Sequence, residues 1–292
     1  MRLDAECYPC MMSQAMRAAM LSGLGGEKLL DVMRWTAGFL QELDPSTTPP
    51  AAAAVFYDRV KELSGHEDPF KLLKHESNIA AQRLLPRLLS EIDASPEPLA
   101  FALKTSIAGN IIDFGAHEAP ADLESNIDMI MNHDPFIDHT DPLKNDLEVA
   151  STVLMICDNA GEIVMDRLLL EVLSSLYPNI DFTVAVRGGP AINDATLEDA
   201  REVGMEKFSR VITTGLAMAG VDLESCSPQF RSAFHNYDVI IAKGQGNFET
   251  LDQRSENIYF LFQVKCDCVS RFLGAEKYSA VLWSSRRGTQ RD

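Results

Sequence analysis

Apolar residues at helical spacing dominate the first ninety or so positions of the chain. Over residues 9–21, one face of a helix is formed by Met12, Ala15, Met16 and Ala19. The same spacing predicts further helices over residues 29–43, 50–63 and 70–89, and another from about residue 99. Pro86 falls inside the 70–89 segment, and a break is expected there because proline disrupts a helix interior. Since this region has no strand pattern, we predict that it is helical.

After about residue 150, short runs rich in β-branched residues alternate with helical segments. These runs predict strands at residues 152–156, 182–186, 211–213, 239–242, 258–264 and 280–283. Strands that alternate with helices are typical of a mainly parallel sheet covered by helices on both faces. We therefore expect an α/β fold, with a helical domain over residues 1–95 and a three-layer α/β/α domain over residues 149–292.

The stretch between these two domains, residues 96–148, begins as a helix and continues as a polar, acidic connection at about 132–146. We interpret the connection as a linker or loop and expect it to pack on the cleft. It contains His133 and His139 among several Asp residues, so a second metal site is conceivable. Its proline content favours a solvated linker instead.

The balance of charge limits the classes of partner. The 292 residues include 26 Lys and Arg against 43 Asp and Glu, a formal net charge of -17. Such a surface repels phosphate polymers and anionic lipids, which disfavours binding to nucleic acids and membranes. No apolar stretch has the length of a membrane span, and the first residues lack the pattern of a secretory signal. A cytoplasmic location is therefore expected.

Polar residues occur in the segments that follow three of the predicted strands, and the acidic and amide residues follow two of them. Asp158 and Asn159 come after the first strand, and Asp194 follows the second along the chain. Because the carboxyl ends of parallel strands meet at one edge of a sheet, these side chains are expected to lie together. Carboxylate and amide oxygens are the ligands that hard divalent ions prefer. A bound ion would acidify a water molecule and neutralise phosphoryl oxygens.

Basic residues and glycines share these strand ends. Arg187 and Lys243 are suited to hold phosphoryl oxygens as charge develops in a transition state. Backbone N–H groups approach a phosphate closely where side chains are absent, at Gly188, Gly189, Gly244 and Gly246.

Each motif also has an ordinary structural interpretation. Asp158-Asn159 and Asn193-Asp194 are typical of turns and helix caps. The glycines at 244 and 246 lack the third glycine of a dinucleotide-binding loop, because Glu249 occupies that position. The coincidence of three such elements at strand ends nevertheless favours a functional site.

The segments at the strand ends closely resemble the domain of unknown function 89 family. They are Asp158-Asn159-Ala160-Gly161-Glu162, Arg187-Gly188-Gly189-Pro190, Asn193-Asp194-Ala195-Thr196 and Lys243-Gly244-Gln245-Gly246-Asn247-Phe248-Glu249. The match also includes Asn110 and Asp113-Phe114-Gly115. The start, Cys7-Tyr8-Pro9-Cys10, is similar to that of the mostly prokaryotic branch.

This resemblance implies a metal-dependent damage-control phosphatase with a helical N-terminal part and an α/β/α C-terminal part. It implies a divalent ion (Mn²⁺, Mg²⁺, Co²⁺ or Ni²⁺) bound by Asp158, Asn159 and Asp194, with Lys243 close to the phosphate. The further candidate catalytic residues are Glu162, Arg187, Asn110 and Asp113. The candidate substrate contacts are Asn247, Glu249 and the four glycines named above. The expected substrate is a small phosphorylated metabolite such as a sugar phosphate, and the oligomeric state is left open.

Several alternatives remain beside this interpretation. Phosphatases of the haloacid dehalogenase type carry a second Asp two positions after the first, whereas Ala160 occupies that position here. Attack by metal-activated water is therefore favoured, with Glu162 or Glu249 as the candidate base. The alternatives from other classes are a carboxyl methyltransferase that uses S-adenosylmethionine, an activity claimed for one branch of the family, and a non-catalytic protein that binds metal through thiols.

Six cysteines in a chain without a secretory signal are typical of thiols or metal ligands rather than structural disulfides. Two close pairs occur, Cys7 with Cys10 and Cys266 with Cys268. They permit a zinc or iron–sulfur site, a redox-active disulfide or inert thiols, so a second metal at Cys7 and Cys10 is one possibility. The other two cysteines, Cys157 and Cys226, are interpreted as packing residues.

Overall fold

In the computed structural model, which describes residues 1–110 and 123–286, seven strands form one sheet. They are β1 (Ile137–Asp138), β2 (Thr152–Ile156), β3 (Asp181–Val186), β4 (Arg210–Thr213), β5 (Val239–Lys243), β6 (Ile258–Gln263) and β7 (Ala280–Ser284). All six predicted strands are confirmed, and β1 was not predicted. The strands from β2 to β6 are mutually parallel, whereas β7 runs antiparallel to β6 and pairs with β1 at the sheet edge.

The order of the strands places a switch point beside β2. The order across the sheet is β1-β7-β6-β5-β2-β3-β4, so β2 lies between β3 and β5. The chain leaves β2 toward β3 and β4 on one side, then returns to β5 on the other. In open α/β sheets, ligands bind beyond the carboxyl ends of the strands at such a point. The turn after β2 and the start of the helix after β5 are therefore neighbours at the expected place.

Helices surround the sheet and extend from one side of it. They are α1 (Cys7–Leu21), α2 (Gly26–Gln41), α3 (Pro49–Ser64), α4 (Lys71–Gln82), α5 (Leu85–Ala94), α6 (Pro98–Gly109), α7 (Leu123–Met131), α8 (Thr140–Val149), α9 (Glu162–Leu176), α10 (Leu197–Glu202), α11 (Pro228–Asn236), α12 (Gly244–Leu251) and α13 (Asp267–Leu273). The break expected near Pro86 is confirmed, because α4 ends before it. Pro86 lies in the first turn of α5, where its missing N–H group has no helical partner to lose.

The interpretation of residues 132–146 as a linker or loop is wrong, because this stretch contains β1 and most of α8. Helix α8 buries Leu143 and Leu147, which lie four residues apart, against the main core. Two apolar residues are too few to produce a recognisable period. His139 is not a solvated residue of a linker, since its Nδ1 atom accepts the backbone N–H of Ser284 at 2.9 Å.

Hydrophobic clusters lie on both faces of the sheet. One cluster joins α6 and α9 to β2 and β3, for example through Ile107, Leu169 and Met155. The other lies against the opposite face and includes Phe248 and Phe260. The three-layer α/β/α arrangement is therefore confirmed.

Helices α1 to α3 add smaller apolar clusters of their own. Helices α4 and α5 contribute instead to the core shared with the sheet, through residues such as Ala81 and Leu88. The division of the chain at residues 95 and 148 stays a prediction. Within the described residues, no helix combines the length and the apolar character needed to cross a membrane.

Candidate functional site

Asp158 and Asp194 lie against the same buried guanidinium group. Asp158 follows β2, and Asp194 lies in the loop after β3. Arg187, at the end of β3, donates from Nε to Asp194 Oδ2 at 2.6 Å, and its Nη2 atom is 3.5 Å from Asp158 Oδ1. The two carboxylates, which are 36 positions apart in sequence, therefore converge at the carboxyl edge of the sheet.

Backbone hydrogen bonds fix the two loops that carry these carboxylates. The N–H of Ala195 donates to the carbonyl oxygen of Asp158 at 2.7 Å, and the N–H of Ala160 donates to that of Asn193 at 2.8 Å. Asn159 and Asp194 also form an isolated β-bridge. The candidate metal ligands Asp158, Asn159 and Asp194 thus come from two loops that are tied together directly.

The orientation of the Asp158 carboxylate depends on two amides and one glycine. Its Oδ2 atom accepts from Asn159 Nδ2 at 2.9 Å and from Asn110 Nδ2 at 3.3 Å. Gly244 has a positive φ of 77°, and a Cβ atom there would lie 1.9 Å from Asp158 Oδ2. A side chain at position 244 would therefore displace the carboxylate. Gly244 makes room for a candidate ligand, whereas its predicted role was to present an N–H group to phosphate.

Lys243 does not reach the cleft, contrary to the expectation that its ammonium lies beside the phosphate. The side chain is fully buried, and its Nζ atom is 3.0 Å from Glu162 Oε1 and 3.3 Å from Asp166 Oδ1. It also donates to the carbonyl oxygen of Ser106 at 2.8 Å. The ammonium is thus surrounded by acceptors within the protein, behind the turn that carries Asp158.

Arg187 and Asn247 occupy similar internal positions. Arg187 has only 1% of its surface exposed, and its Nη1 atom donates to the carbonyl oxygen of Gly220 at 2.9 Å. Asn247 accepts from the same guanidinium at 3.2 Å and donates to the carbonyl oxygen of Lys243 at 2.6 Å. Both side chains hold the strand ends together, and neither lines the cleft.

The buried charges of this region do not balance. One cluster, joined by ion pairs and by the Asn110 amide, contains four buried carboxyl groups, Asp158, Glu162, Asp166 and Asp194, and two buried basic groups, Arg187 and Lys243. With all six ionised, two negative charges are left without a counterion among them. Burial raises the pKa of Asp158 well above its usual range, and the charges of Asp194 and Glu162 raise it further. A divalent cation beside Asp158 and Asp194 would remove this excess, so the donors present fit such an ion.

A cleft of about 540 Å³ opens in front of these carboxylates. Its polar side is lined by Asp158, Asn159, Asn193, Asp194, Gln245, Gly246, Glu249 and Lys265. Five predicted site residues, Asp158, Asn159, Asp194, Gly246 and Glu249, therefore lie on one surface. A more open groove of about 580 Å³ lies between α5, α6 and α7 and shares no lining residue with the cleft, and its Arg87 is already paired with Glu91 and Asp128.

Lys265 is the residue of this surface that the sequence analysis missed. It follows β6 by two positions, so the rule that located the other strand-end residues also identifies it. Its backbone N–H donates to Gln245 Oε1 at 2.8 Å, and Gln245 Nε2 donates to Glu249 Oε1 at 2.7 Å. Burial raises the pKa of Glu249 to about 7, although the Gln245 hydrogen bond, the N-terminal ammonium and Lys265 act in the opposite direction.

Gly188 and Gly189 do not line the cleft. The N–H of Gly188 donates to the carbonyl oxygen of Leu216 at 2.7 Å, and a Cβ atom there would lie 2.4 Å from the carbonyl carbon of Gly215. The glycine at 188 is thus required by close backbone packing, and its N–H is not directed at a ligand. Asp113 lies outside the described residues.

Helices of the N-terminal region hold the site from the other side. Asn78 of α4 accepts the N–H of Gly161, which precedes α9, at 2.7 Å. Lys61 of α3 donates to the carbonyl oxygen of Pro190 at 2.7 Å. Ile192 packs against the helical cluster and has a φ of 49°, which is a strained value for a β-branched residue. The loop that carries Asp194 is therefore clamped by the helical region.

The four cysteines that are close in sequence as two pairs all line the same cleft. Cys7 and Cys10, in the first turn of α1, meet Cys266 and Cys268 at the start of α13, and all four are free thiols. Over residues 1–110 and 123–286, no group of three or more His, Cys, Asp or Glu side chains is arranged to hold a metal ion. The candidate set at the strand ends contains two carboxylates and an amide. Cys157 and Cys226 are buried in hydrophobic clusters, in agreement with a packing role.

Comparison with known families covers almost the whole chain. Residues 3–281 match the damage-control phosphatase ARMT1-like domain. The chain is 34% identical over 288 residues to a damage-control phosphatase of Pyrococcus horikoshii, covering 98% of this chain and 99% of the relative. It is also 34% identical over 290 residues to an uncharacterized protein of Methanocaldococcus jannaschii, covering 96% and 95% of the two chains.

One further relative and one solved structure agree with these matches. A damage-control phosphatase of Archaeoglobus fulgidus is 33% identical over 228 residues, covering 76% of this chain and 77% of the relative. The crystal structure of a DUF89 family protein from Pyrococcus horikoshii superposes with a TM-score of 0.88 at 33% identity, covering 98% of this chain and 99% of that one. The family resemblance noted from the strand-end motifs is therefore confirmed.

Proposed function

The chain belongs to the damage-control phosphatase ARMT1-like family, and from this we propose that it is a metal-dependent phosphatase acting on small phosphorylated metabolites. The observation that supports this most is the convergence of Asp158 and Asp194 on Arg187 at the edge of a cleft that also contains Lys265. Acidic oxygen donors that can hold a metal ion, together with a basic side chain, form a combination that supports hydrolysis of phosphate esters.

Asp158, Asn159 and Asp194 are the residues that would hold the divalent ion. Their hard oxygen donors suit Mg²⁺ or Mn²⁺, and Co²⁺ and Ni²⁺ also accept such ligands. When bound, the ion would supply Lewis acidity to a water molecule and to the phosphoryl oxygens. With all six buried groups ionised, the cluster around Asp158 would carry two excess negative charges, which a divalent ion matches better than a monovalent one.

Lys265 is the cation that we assign to the phosphate. It is one of the residues that line the cleft, and its positive charge lowers the pKa of both Asp158 and Glu249, which line the same cleft. An ammonium placed beside the phosphoryl group that is transferred to water stabilises the negative charge on its oxygens as the bond to the leaving alcohol breaks. Lys243 and Arg187 then act as positioning residues, which hold Glu162 and the two Asp ligands in place.

Glu249 is the candidate base. It lines the cleft, and its pKa of about 7 allows it to take a proton from water at neutral pH. Glu162 fits this role less well. It is fully buried, its Oε2 atom accepts from Asn110 at 2.7 Å, and its Oε1 atom faces Lys243.

Release of inorganic phosphate tests the proposed function. Purified protein is assayed with p-nitrophenyl phosphate and a panel of metabolite phosphates, after removal of metal and after addition of Mn²⁺, Mg²⁺, Co²⁺ or Ni²⁺. We expect release with metal, none after chelation, and loss of release in Asp158→Ala but not in Glu206→Ala, which changes an exposed carboxylate. No metal-dependent release across the panel would refute the proposal. Calorimetry with S-adenosylmethionine tests the methyltransferase alternative, and we expect no binding.

A further inference from the structure

The cleft has two chemically different sides. The strand-end side carries the candidate metal ligands, Lys265 and Glu249. The facing side is formed by α1, α3 and the loops beside them, and its lining is mostly apolar. Its apolar residues include Met11, Pro50, Tyr57, Phe70 and Ile192.

Among the residues that the structure describes, the facing side has five polar ones, Glu6, Ser13, Gln14, Arg17 and Tyr57, and most of them already bond within the protein. Tyr57 donates from its hydroxyl to Gln14 Oε1 at 3.2 Å, and Gln14 Nε2 donates to Cys10 Sγ at 3.2 Å. Each end of the Gln14 amide therefore already makes one hydrogen bond within this wall. Glu6, at the mouth of the cleft, pairs with Arg271 at 2.9 Å. Arg17 also lines this side, and its aliphatic stem adds apolar surface while its head group is charged.

The four thiols extend the apolar surface toward one end of the cleft. Burial raises the pKa of Cys7 and of Cys266, and raises that of Cys268 to about 11. These three groups are therefore neutral thiols near pH 7. A neutral thiol behaves as a small, weakly polar group, and it hydrogen-bonds poorly to sugar hydroxyls.

The cleft is also larger than a phosphate group needs. Its volume of about 540 Å³ is within the range of sites that enclose a whole small-molecule ligand. A phosphate beside Asp158, Asp194 and Lys265 leaves most of this space for the rest of the substrate. A polyhydroxylated body in that space would lose hydrogen bonds to water without replacing them, and each unreplaced bond is unfavourable.

We propose that the substrate is a phosphomonoester whose organic body is largely hydrocarbon and lies against the wall formed by α1 and α3. The proposal rests on the phosphatase function proposed above and narrows its substrate class. Specificity would come from apolar contact with residues such as Met11, Tyr57 and Phe70, since an apolar pocket discriminates mainly through the apolar area it covers. A sugar phosphate would be a poor substrate because its hydroxyl groups find few partners on this side.

A matched pair of substrates tests the proposal on the unmodified protein. Hexyl phosphate and a linear hexitol 1-phosphate both have six carbons and a primary phosphate, and they differ only in the hydroxyl groups of the body. Phosphate release is measured for both in the presence of Mn²⁺. We expect kcat/KM to be at least roughly tenfold higher for hexyl phosphate, as is typical when an apolar pocket separates two ligands.

Two variants test whether the preference for hexyl phosphate comes from the wall formed by α1 and α3. Tyr57→Gln should raise KM for hexyl phosphate several-fold, with kcat and the hexitol reaction little changed. Tyr8→Gln changes a tyrosine of the same helical region that does not line the cleft, and it should leave both substrates unaffected. Thermal unfolding of each variant checks that it is folded.

The outcomes distinguish failure of the proposed substrate class from failure of the proposed phosphatase function. Equal or faster release from the hexitol phosphate would overturn the assignment of a hydrocarbon body and leave the phosphatase function standing. A preference for hexyl phosphate that Tyr57→Gln does not reduce would show that the wall of α1 and α3 is not its source, and would also overturn the assignment. No release from either substrate with any metal would refute the phosphatase function itself.

Discussion

The Nζ atom of Lys243 lies 3.0 Å from Glu162 Oε1, and both side chains are fully buried. Asp166 completes this cluster, with its Oδ1 atom 3.3 Å from the same ammonium and 2.7 Å from the hydroxyl of Ser106. Since α9 carries both acids and begins four residues after Asp158, the cluster fixes the start of α9 against β5. Lys243 therefore stabilises the site from within the protein core and does not contact the cleft.

This position predicts that Lys243→Met acts mainly on stability. The change leaves two buried carboxyl groups without their cation, and breaking a buried ion pair in this way costs about 3–5 kcal/mol of the free energy of unfolding. Urea unfolding followed by circular dichroism measures the loss. A variant that keeps the original stability but loses turnover would contradict the internal role and would support contact between Lys243 and phosphate.

Lys265→Met is expected to act on catalysis instead. Removal of one preorganised charge beside the phosphate should lower kcat by roughly 10²-fold, the effect typical of such groups, while Mn²⁺ binding is retained. Lys207→Met serves as the control because Lys207 is an exposed lysine away from the cleft. Steady-state phosphate release gives kcat, and calorimetry gives the Mn²⁺ affinity. Unchanged turnover in Lys265→Met would remove this residue from the site.

A pair of glycine substitutions tests the close contact between Gly244 and Asp158. Gly244→Ala should displace the Asp158 carboxylate, because the added Cβ would lie 1.9 Å from its Oδ2 atom. Gly274→Ala is the control, since Gly274 has a similar φ of 69° but no atom within 4 Å of the added Cβ. Both variants should lose about 1 kcal/mol or more of stability from backbone strain. Only Gly244→Ala should also lose Mn²⁺ affinity and activity; equal metal affinity in the two would contradict the contact.

The raised pKa of Glu249 predicts how the free energy of unfolding depends on pH. Its pKa is raised from 4.5 to about 7 in the folded protein, mainly by burial, so the folded state holds the proton more tightly than the unfolded chain. Its contribution to stability is therefore complete below about pH 4.5 and is lost as the pH rises through 7. Asp166, with a pKa raised to about 7 by burial, acts in the same direction.

Unfolding by urea in the presence of a chelator, at intervals from pH 5 to pH 7, measures this dependence. Each such group contributes a slope of at most about 1.4 kcal/mol per pH unit, and Glu249→Gln should remove one contribution. If Glu249→Gln keeps the slope of the unmodified protein, Glu249 does not have a raised pKa, and its assignment as the base at neutral pH loses its support.

Much of the fold could be predicted from the sequence because its strands are short, apolar and bounded by turns. The run at 152–156 and the Asp-Asn turn after it located both β2 and the site, since the carboxyl ends of parallel strands share one edge. Helix α8 was missed because Leu143 and Leu147 are its only fully buried apolar residues among those described. Two positions do not define a period.

The direction of individual side chains could not be predicted in the same way. Lys243 and Lys265 both lie at strand ends, yet the ammonium of Lys243 lies in a buried acidic cluster, whereas Lys265 is one of the residues that line the cleft. The difference depends on Glu162 and Asp166, which only the packing of α9 brings beside Lys243. Likewise, a meeting of Cys7 and Cys10 with Cys266 and Cys268 was only one of several alternatives from the sequence, because it depends on how α1 packs beside the start of α13.

Binding of Mn²⁺ measured by isothermal titration calorimetry tests most directly whether the converging carboxylates form the metal site. The unmodified protein and Glu206→Ala should each bind one equivalent with the same Kd. Asp158→Ala and Asp194→Ala should each weaken binding by more than roughly 100-fold, beyond the loss typical of residues that only orient metal ligands. If either Asp variant binds Mn²⁺ as tightly as the unmodified protein, Asp158 and Asp194 do not share an ion, and the proposed mechanism is wrong.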